Sequence, residues 1–445
     1  LIGEKVAVAS EFTIRDRRVL TLMMFVALIA GYGGSQLSHT LPFARKALDL
    51  SEGGMNWVFA ATRLASLLGL AFMVFADRRG RRTPFLVAFA LMPVANLVTS
   101  IAPDPITFTL AQSAARVAVI AVAGLAIVIL AEELSPRIRA LGIGLYALAG
   151  AAGSGLGLTL LPIADSSETS YRILFALTGV GLVALPLLFR FLTESRAYVQ
   201  YERKVTFRTA LKAGLGRHFW PMAAIAFFIA VFSSPATAFV MERLVDDLEW
   251  ETAPARFLLM VFSGLGTAGV IIGGRMADLV GRKRTTITAM LAGLGGGVAF
   301  YTLDSGWVLA PAIFLATLGL GMLTPALASH RSELFPTRVR ATAAGWITNV
   351  AIGGSITGFV IGALIVDTVG LPTTITALAG GLIIAMLLVT RLPETRGMDL
   401  VRSRGDLSRA TRPAQQTEPP SSPPVPTTRR ADPTPEVVQP QAPPQ

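Results

Sequence analysis

Four polar side chains, Tyr32, Ser35, Gln36 and His39, interrupt the first long apolar run of the chain. Their spacing of i, i+3, i+4 and i+7 places them on one face of a helix, and that face is expected to line a wet cavity. His39 adds a group able to exchange a proton in the working range. A later run carries Gln112 and Arg116 one turn apart, with Arg116 ~15 Å from the start of its helix at 1.5 Å per residue. A guanidinium among apolar residues is costly and normally faces a cavity or a partner. The first six apolar runs hold acids only at one end, which leaves two readings of Arg116. Either it grips an anionic group on a solute, or it hydrogen-bonds Tyr32, Gln36 or backbone carbonyls. Arg63 reads as snorkelling to an interface. The acidic stretch of Glu242, Asp246, Asp247, Glu249 and Glu251 counts against an anion, which it would repel. In the second half Trp346 and Asn349 fit a site that stacks and orients an organic ligand. Ser233, Thr237, Thr317 and Thr324 suit packing or interhelical hydrogen bonds better.

Other chemistries are excluded by what is missing. The chain has no cysteine and only His39, His218 and His330 as histidines, so no thiolate site or usual zinc cage is expected, and no cofactor. Gly264-x-Gly266-x-x-Gly269 matches a dinucleotide fingerprint but sits inside an apolar run without a preceding strand. No acid, base or metal cluster converges, so an enzyme is not expected. The net charge of +11 comes from arginines between apolar runs and in the tails, with no basic face interleaved with aromatics, which argues against nucleic acid.

The elements that must position these residues are membrane helices. Of 445 residues, 52% are hydrophobic and only 15% charged. A hydrocarbon core of ~30 Å needs about 20 apolar residues in a helix. Runs of that size fall at 19–41, 56–76, 84–102, 106–131, 141–163, 171–191, 219–240, 256–277, 286–303, 307–330, 341–365 and 372–390. The expected fold class is therefore an all-α membrane protein of twelve transmembrane helices. The first run is too long for a signal peptide and is read as retained. Cations gather after runs two, four and six, which puts both termini in the cytoplasm of a multi-pass plasma-membrane protein. The expected organisation is a cytoplasmic segment (1–18), a six-helix bundle (19–191), a central loop lying as an amphipathic surface helix (192–218), a second bundle (219–390) and a Pro-rich disordered tail (391–445). Arginine outnumbering lysine points to a GC-rich bacterial genome. The opening on Leu1 fits a fragment or an alternative start codon.

Three motifs repeat in one register. Asp77 pairs with Asp278 at an offset of 201, while Glu133-Leu134-Ser135-Pro136 pairs with Glu333-Leu334-Phe335-Pro336, and Leu192 to Arg196 with Leu392 to Arg396, at 200. The stretch Gly274-x-x-x-Asp278-x-x-Gly281-Arg282-Lys283, with its degenerate twin Asp77-Arg78-Arg79-Gly80-Arg81-Arg82, resembles the signature of the major facilitator superfamily. The loop Glu333 to Arg340 and the ending Leu392 to Gly397 look like those of its sugar-porter and metabolite:proton symporter branches. The resemblance covers roughly residues 19 to 397 and implies two pseudo-symmetric six-helix bundles flanking a midplane site. It implies gate roles for Asp77, Gly80, Arg81, Glu133, Gly274, Asp278, Gly281, Arg282, Glu333 and Arg340, in which the acid pairs with arginines and a helix N-terminus. Met73 stands in the slot of Gly274.

Sugar porters carry glutamines in spans five and seven; this chain has none there, so sugar is disfavoured. The small-xxx-small pairs Gly153/Gly157, Gly269/Gly273 and Gly354/Gly358 lie on spans that face the opposite half in the resembled fold, where smooth contacts would let the halves rock. The expected function is a monomeric secondary transporter, working by alternating access on a small organic solute such as an organic anion. A proton is the candidate coupling ion. The alternatives are a drug or metabolite:proton antiporter or symporter, or a transporter-like sensor or scaffold.

Overall fold

The computed structural model describes residues 13–69, 72, 75–76, 80–134, 138–194, 216–335 and 337–396. These residues are mostly helical, joined by short turns and loops. The first half contains α1 (Ile14–His39), α2 (Glu52–Ser66, with further helical residues beyond), α3 (Arg82–Ser100), α4 (Pro105–Glu133), α5 (Arg139–Leu160) and α6 (Tyr171–Leu177 and Val180–Phe191). The second contains α7 (Gly216–Ala238), α8 (Thr252–Leu258 through Gly269–Val280), α9 (Arg282–Thr302), α10 (Gly306–Leu334), α11 (Thr337–Val369) and α12 (Leu371–Leu378 and Gly380–Thr390). Ten of these are long and apolar enough to cross a membrane by length and composition; the described part of α2 is short, and α9 is rich in glycine and threonine. The chain is thus a multi-pass, twelve-helix, two-bundle protein.

Helix starts precede the apolar runs where polar caps allow it. α1 begins five residues before the run that marks it because Thr13 and Asp16 form a capping box, Asp16 N donating to Thr13 Oγ1 at 3.1 Å and Thr13 N to Asp16 Oδ2 at 3.0 Å. α4 starts at Pro105 behind Asp104, whose Oδ1 accepts from the N–H groups of Ile106 and Thr107.

The paired glycines do not lie between the halves, contrary to expectation. A Cβ on Gly153 would sit 2.0 Å from the Leu28 carbonyl oxygen of α1, and one on Gly354 2.1 Å from that of Phe227 in α7. Gly269 and Gly273 likewise meet Leu318 and Met322 of α10. These contacts lock helices inside each half. The physical reason is that intimate backbone contact belongs where a bundle is permanent.

The halves meet at the end opposite the Gly80 and Gly281 loops. There Arg45 and Lys46, on a short helix after α1, pair with Glu242 and Asp246 after α7. Asp367 of α11 accepts from Ser51 Oγ at 2.8 Å and Gly53 N at 2.9 Å. Phe59 of α2 stacks on Phe359 of α11 at 4.9 Å. One apolar core runs through this seal, from Leu37, Met55 and Phe108 in the first half to Phe239 and Phe359 in the second.

At the other end each half is tied by a copy of one constellation. Gly80 and Gly281 have φ of +97° and +114°. Arg81 Nη1 donates to Ala76 O at 2.8 Å and its Nη2 lies 3.2 Å from Glu132; Arg282 Nη1 donates to Ala277 O at 2.8 Å and its Nη2 lies 2.8 Å from Glu333. Glu132, and not Glu133, therefore stands where Glu333 stands. The 201-residue offset of the glycine loops persists through α4, and Glu133, one position on, turns to Arg15 at 2.6 Å. A second difference concerns the helix N-termini, where the capping acids are Glu194 and Glu394. Glu194 Oε1 accepts from Arg81 N at 2.6 Å, and Glu394 Oε1 from Arg282 N at 2.8 Å. Burial alone would raise the Glu394 carboxyl, but backbone donors from Arg282, Lys283, Arg396 and Thr395 outweigh it and hold the group below its ordinary range. Asp278, largely exposed, lies 3.0 Å from its helical neighbour Arg282. A Cβ on Gly274 would meet only Pro325 Cβ, at 4.0 Å; Met73, in the matching slot, lies outside the described residues. Asp77, the Arg340 side chain, the central-loop helix and the tail lie outside the described residues.

Gly281 is required twice over, since a Cβ there would adopt a strained φ and sit 2.6 Å from Glu394 Oε2. Gly281→Ala is expected to destabilise the chain by about 1–3 kcal/mol, read as a lowered thermal midpoint. Gly345→Ala, which meets nothing within 4 Å, should leave the midpoint within error.

Candidate functional site

A cavity of about 390 Å³ lies beneath the seal, between the two halves. α1 contributes Ser35, Ser38 and His39, and α5 contributes Ser154. The second half supplies Phe232, Ser233 and Thr237 from α7, Phe300 and Tyr301 from α9, and Thr317 from α10. Its walls are mainly apolar. α8 passes the cavity in a π-helical turn, Leu259–Ser263, which brings Leu259 and Ser263 to the wall.

The polar stripe of α1 is divided by the structure. Ser35 and His39 face this cavity as expected. Tyr32 does not: it is buried, and its hydroxyl donates to Leu174 O of α6 at 2.9 Å. Gln36 is fully buried against α5, its Nε2 2.8 Å from where a Gly157 Cβ would be. A four-residue stripe spans more arc than one cavity subtends, so its flanks turn to neighbouring helices.

A second, smaller cavity of about 30 Å³ opens beside the first and shares Ser38 with it. Arg116 and Gln112 of α4 and Arg63 and Thr62 of α2 line it. Gln112 is committed to structure, its Nε2 donating to Thr99 Oγ1 at 2.8 Å and reaching Asn96 Oδ1 at 3.3 Å. Arg63 lies over the Phe359 ring at 5.9 Å instead of reaching an interface. Arg116 is different. Its buried Nε has no hydrogen-bond partner, and among the described residues no carboxylate lies within ion-pair distance of it. The suggested bond to Tyr32 is not formed, since that hydroxyl is taken by Leu174.

Trp346 and Asn349 line neither cavity. Trp346 is 42% exposed on α11, whose Gly354 and Gly358 pack against α7. Ser233, Thr237 and Thr317, read from sequence as packing residues, do reach the large cavity. Ser38, Ser154, Ser263 and Tyr301 were missed; the i+3 spacing of Ser38 from Ser35 was the available signal.

The arrangement offers an apolar, aromatic-walled chamber with hydroxyls at its edge and an uncompensated cation beside it, at the junction of two halves. Nothing in it is arranged for bond-breaking. The sequence model of the Major Facilitator Superfamily matches residues 23–353 and again 223–428. The chain is 27% identical over 400 residues to the 3-(3-hydroxy-phenyl)propionate transporter of Escherichia coli, covering 86% of this chain and 95% of that one. Over 202 residues, 42% of each chain, it is 29% identical to the 4-hydroxybenzoate transporter PcaK of Pseudomonas aeruginosa. Its fold is similar to that of a bacterial homologue of the human lysosomal transporter Spinster, with a TM-score of 0.73 at 14% identity, covering 89% of this chain and 98% of that one. Twelve helices in two repeated bundles around a shared cavity, together with these matches, make the chain a member of the Major Facilitator Superfamily, a secondary transporter and not an enzyme.

Proposed function

We propose that the solute is an aromatic carboxylate, with its ring in the large cavity and its carboxylate directed past Ser38 to Arg116. The observation that carries this reading is Arg116 itself. A buried guanidinium without an acid is tolerable only if something else supplies the charge, and its planar fork suits a carboxylate. Phe232 and Phe300 suit an aromatic ring, and the serine and threonine hydroxyls suit ring substituents. The names of the two curated relatives, both transporters of hydroxylated aromatic acids, support the same class. A proton is the coupling ion in this reading, which the placement of His39 on the cavity wall supports. The cations that follow even-numbered spans favour cytoplasmic termini in a bacterial plasma membrane, and on that orientation the seal at Arg45 closes the outer face.

Two outcomes are expected. In proteoliposomes, Arg116→Lys should transport an aromatic acid weakly and Arg116→Gln hardly at all. The loss of one charge-assisted pair, on the order of 1.5 to 3 kcal/mol, corresponds to roughly ten- to a hundred-fold in affinity; normal uptake by Arg116→Gln, or a neutral solute, would remove the anion from the account. For orientation, Ser166→Cys in this cysteine-free chain should react with an impermeant maleimide on intact cells, and Thr390→Cys only after permeabilisation. The reverse pattern would invert the topology.

A further inference from the structure

The seal holds a carboxylate that no step described so far uses. Glu242 is fully buried, on the second half, at a junction with the first. Its counter-ion is Arg45, which crosses from the first half and is shared with Asp246, itself also held by Lys46 at 2.5 Å. Beyond that ion contact neither Glu242 oxygen takes a hydrogen bond. Several elements around it add charge, while α1 and α7, which also pack against its turn, add none that faces it. Glu52 at the start of α2 faces Asp247, Glu242, Arg45 and Asp367. On the turn that carries Glu242, Arg243 pairs with Asp247 at 3.4 Å and with Asp304, before α10, at 2.5 Å. From α9 the buried Tyr301 faces Asp247, Arg243 and Glu242. Among the described residues, four buried or partly buried carboxylates, Glu52, Glu242, Asp246 and Asp247, thus face three cations, Arg45, Lys46 and Arg243, while Asp304 and Asp367 lie exposed at the edge.

Bringing the halves together buries this negative excess, and burying unpaired charge is unfavourable unless it is neutralised. We propose that the seal is a proton-binding site: Glu242, backed by the acids around it, takes up a proton as the outer face closes, so that acid favours the sealed state. The direction of titration agrees. Burial, the largest influence, pushes the Glu242 carboxyl up despite Arg45, and does the same to Asp247 despite Arg243. A carboxyl exposed by opening returns to its ordinary range near ~4.3. The sealed state therefore binds more protons than the open one, and its share grows as pH falls between the two affinities. The inference rests on the proton-coupled reading above and adds to His39 a second proton-binding residue, at the seal.

The test uses the full chain with spin labels at Ser166→Cys and Ser305→Cys, exposed positions on either side of the seal, and no solute. Pulsed distance measurements from pH 8 to pH 5 should show the short-distance population growing, with a closed-to-open ratio changing by up to about tenfold per pH unit for one linked proton. Adding Glu242→Gln, a permanently neutral side chain, should raise the short-distance population at pH 8 and flatten the response. If that variant does not fold, Asp247→Asn should shrink the response instead. A pH-independent distribution, opening in acid, or an undiminished response in Glu242→Gln would overturn the assignment. Because no solute is present, those failures leave the aromatic-acid reading standing. Loss of acid binding with the pH response intact would do the opposite.

Discussion

A cation buried in a membrane protein is costly unless a counter-charge, backbone carbonyls or a wet cavity receives it, and where the counter-charges lie organises this transporter. At the Gly80 and Gly281 loops the answers are built in. Arg81 and Arg282 each find a glutamate on the fourth helix of their own half, so those contacts survive any movement between halves. At the seal the answer comes from across the divide, because Arg45 belongs to one half and Glu242 and Asp246 to the other. It must be broken for the halves to part at that end. At Arg116 the chain supplies no answer among the described residues, and in the proposed function the solute provides it. Permanent, switchable and external compensation are three uses of one constraint, and together they distinguish scaffold, gate and binding site.

The apolar packing follows the same division. Gly153 on Leu28 and Gly354 on Phe227 bring backbones into contact within a half, where closeness adds rigidity. Between halves the contacts include side-chain stacks such as Phe59 on Phe359 and ion pairs, with a closer approach where Gly53 of α2 meets Ala363 and Asp367 of α11.

Much of this was legible in the sequence, because bilayer thickness and the 3.6-residue period act on every span alike. The twelve helices and the repeat follow from local pattern, and the repeat already singles out Gly281, Arg282 and Glu333, which the structure brings together in one constellation. What was not legible depends on rotation about a helix axis. Glu132 and Glu133 are adjacent acids at the end of α4, and only the packed helix shows which of them meets Arg81. Tyr32 and Ser35 share a face, yet the hydroxyl of one reaches α6 while the other reaches the cavity. Trp346 suits a ligand by its chemistry, yet it lines neither cavity. Glu242 was counted as part of an acidic loop that repels anions, since its partner Arg45 lies about two hundred positions away in the chain and no local pattern joins them.

The central claim is that the solute completes the charge of Arg116. The most direct measurement compares binding of a hydroxylated aromatic carboxylate with that of its methyl ester to the purified, unaltered protein, by calorimetry at one pH. The ester keeps the ring and the shape and loses only the charge. Binding of the acid at least about tenfold tighter than the ester is the predicted result, as expected for one charge-assisted pair. Equal affinity for the two would contradict the account, since the guanidinium would then play no part in recognition.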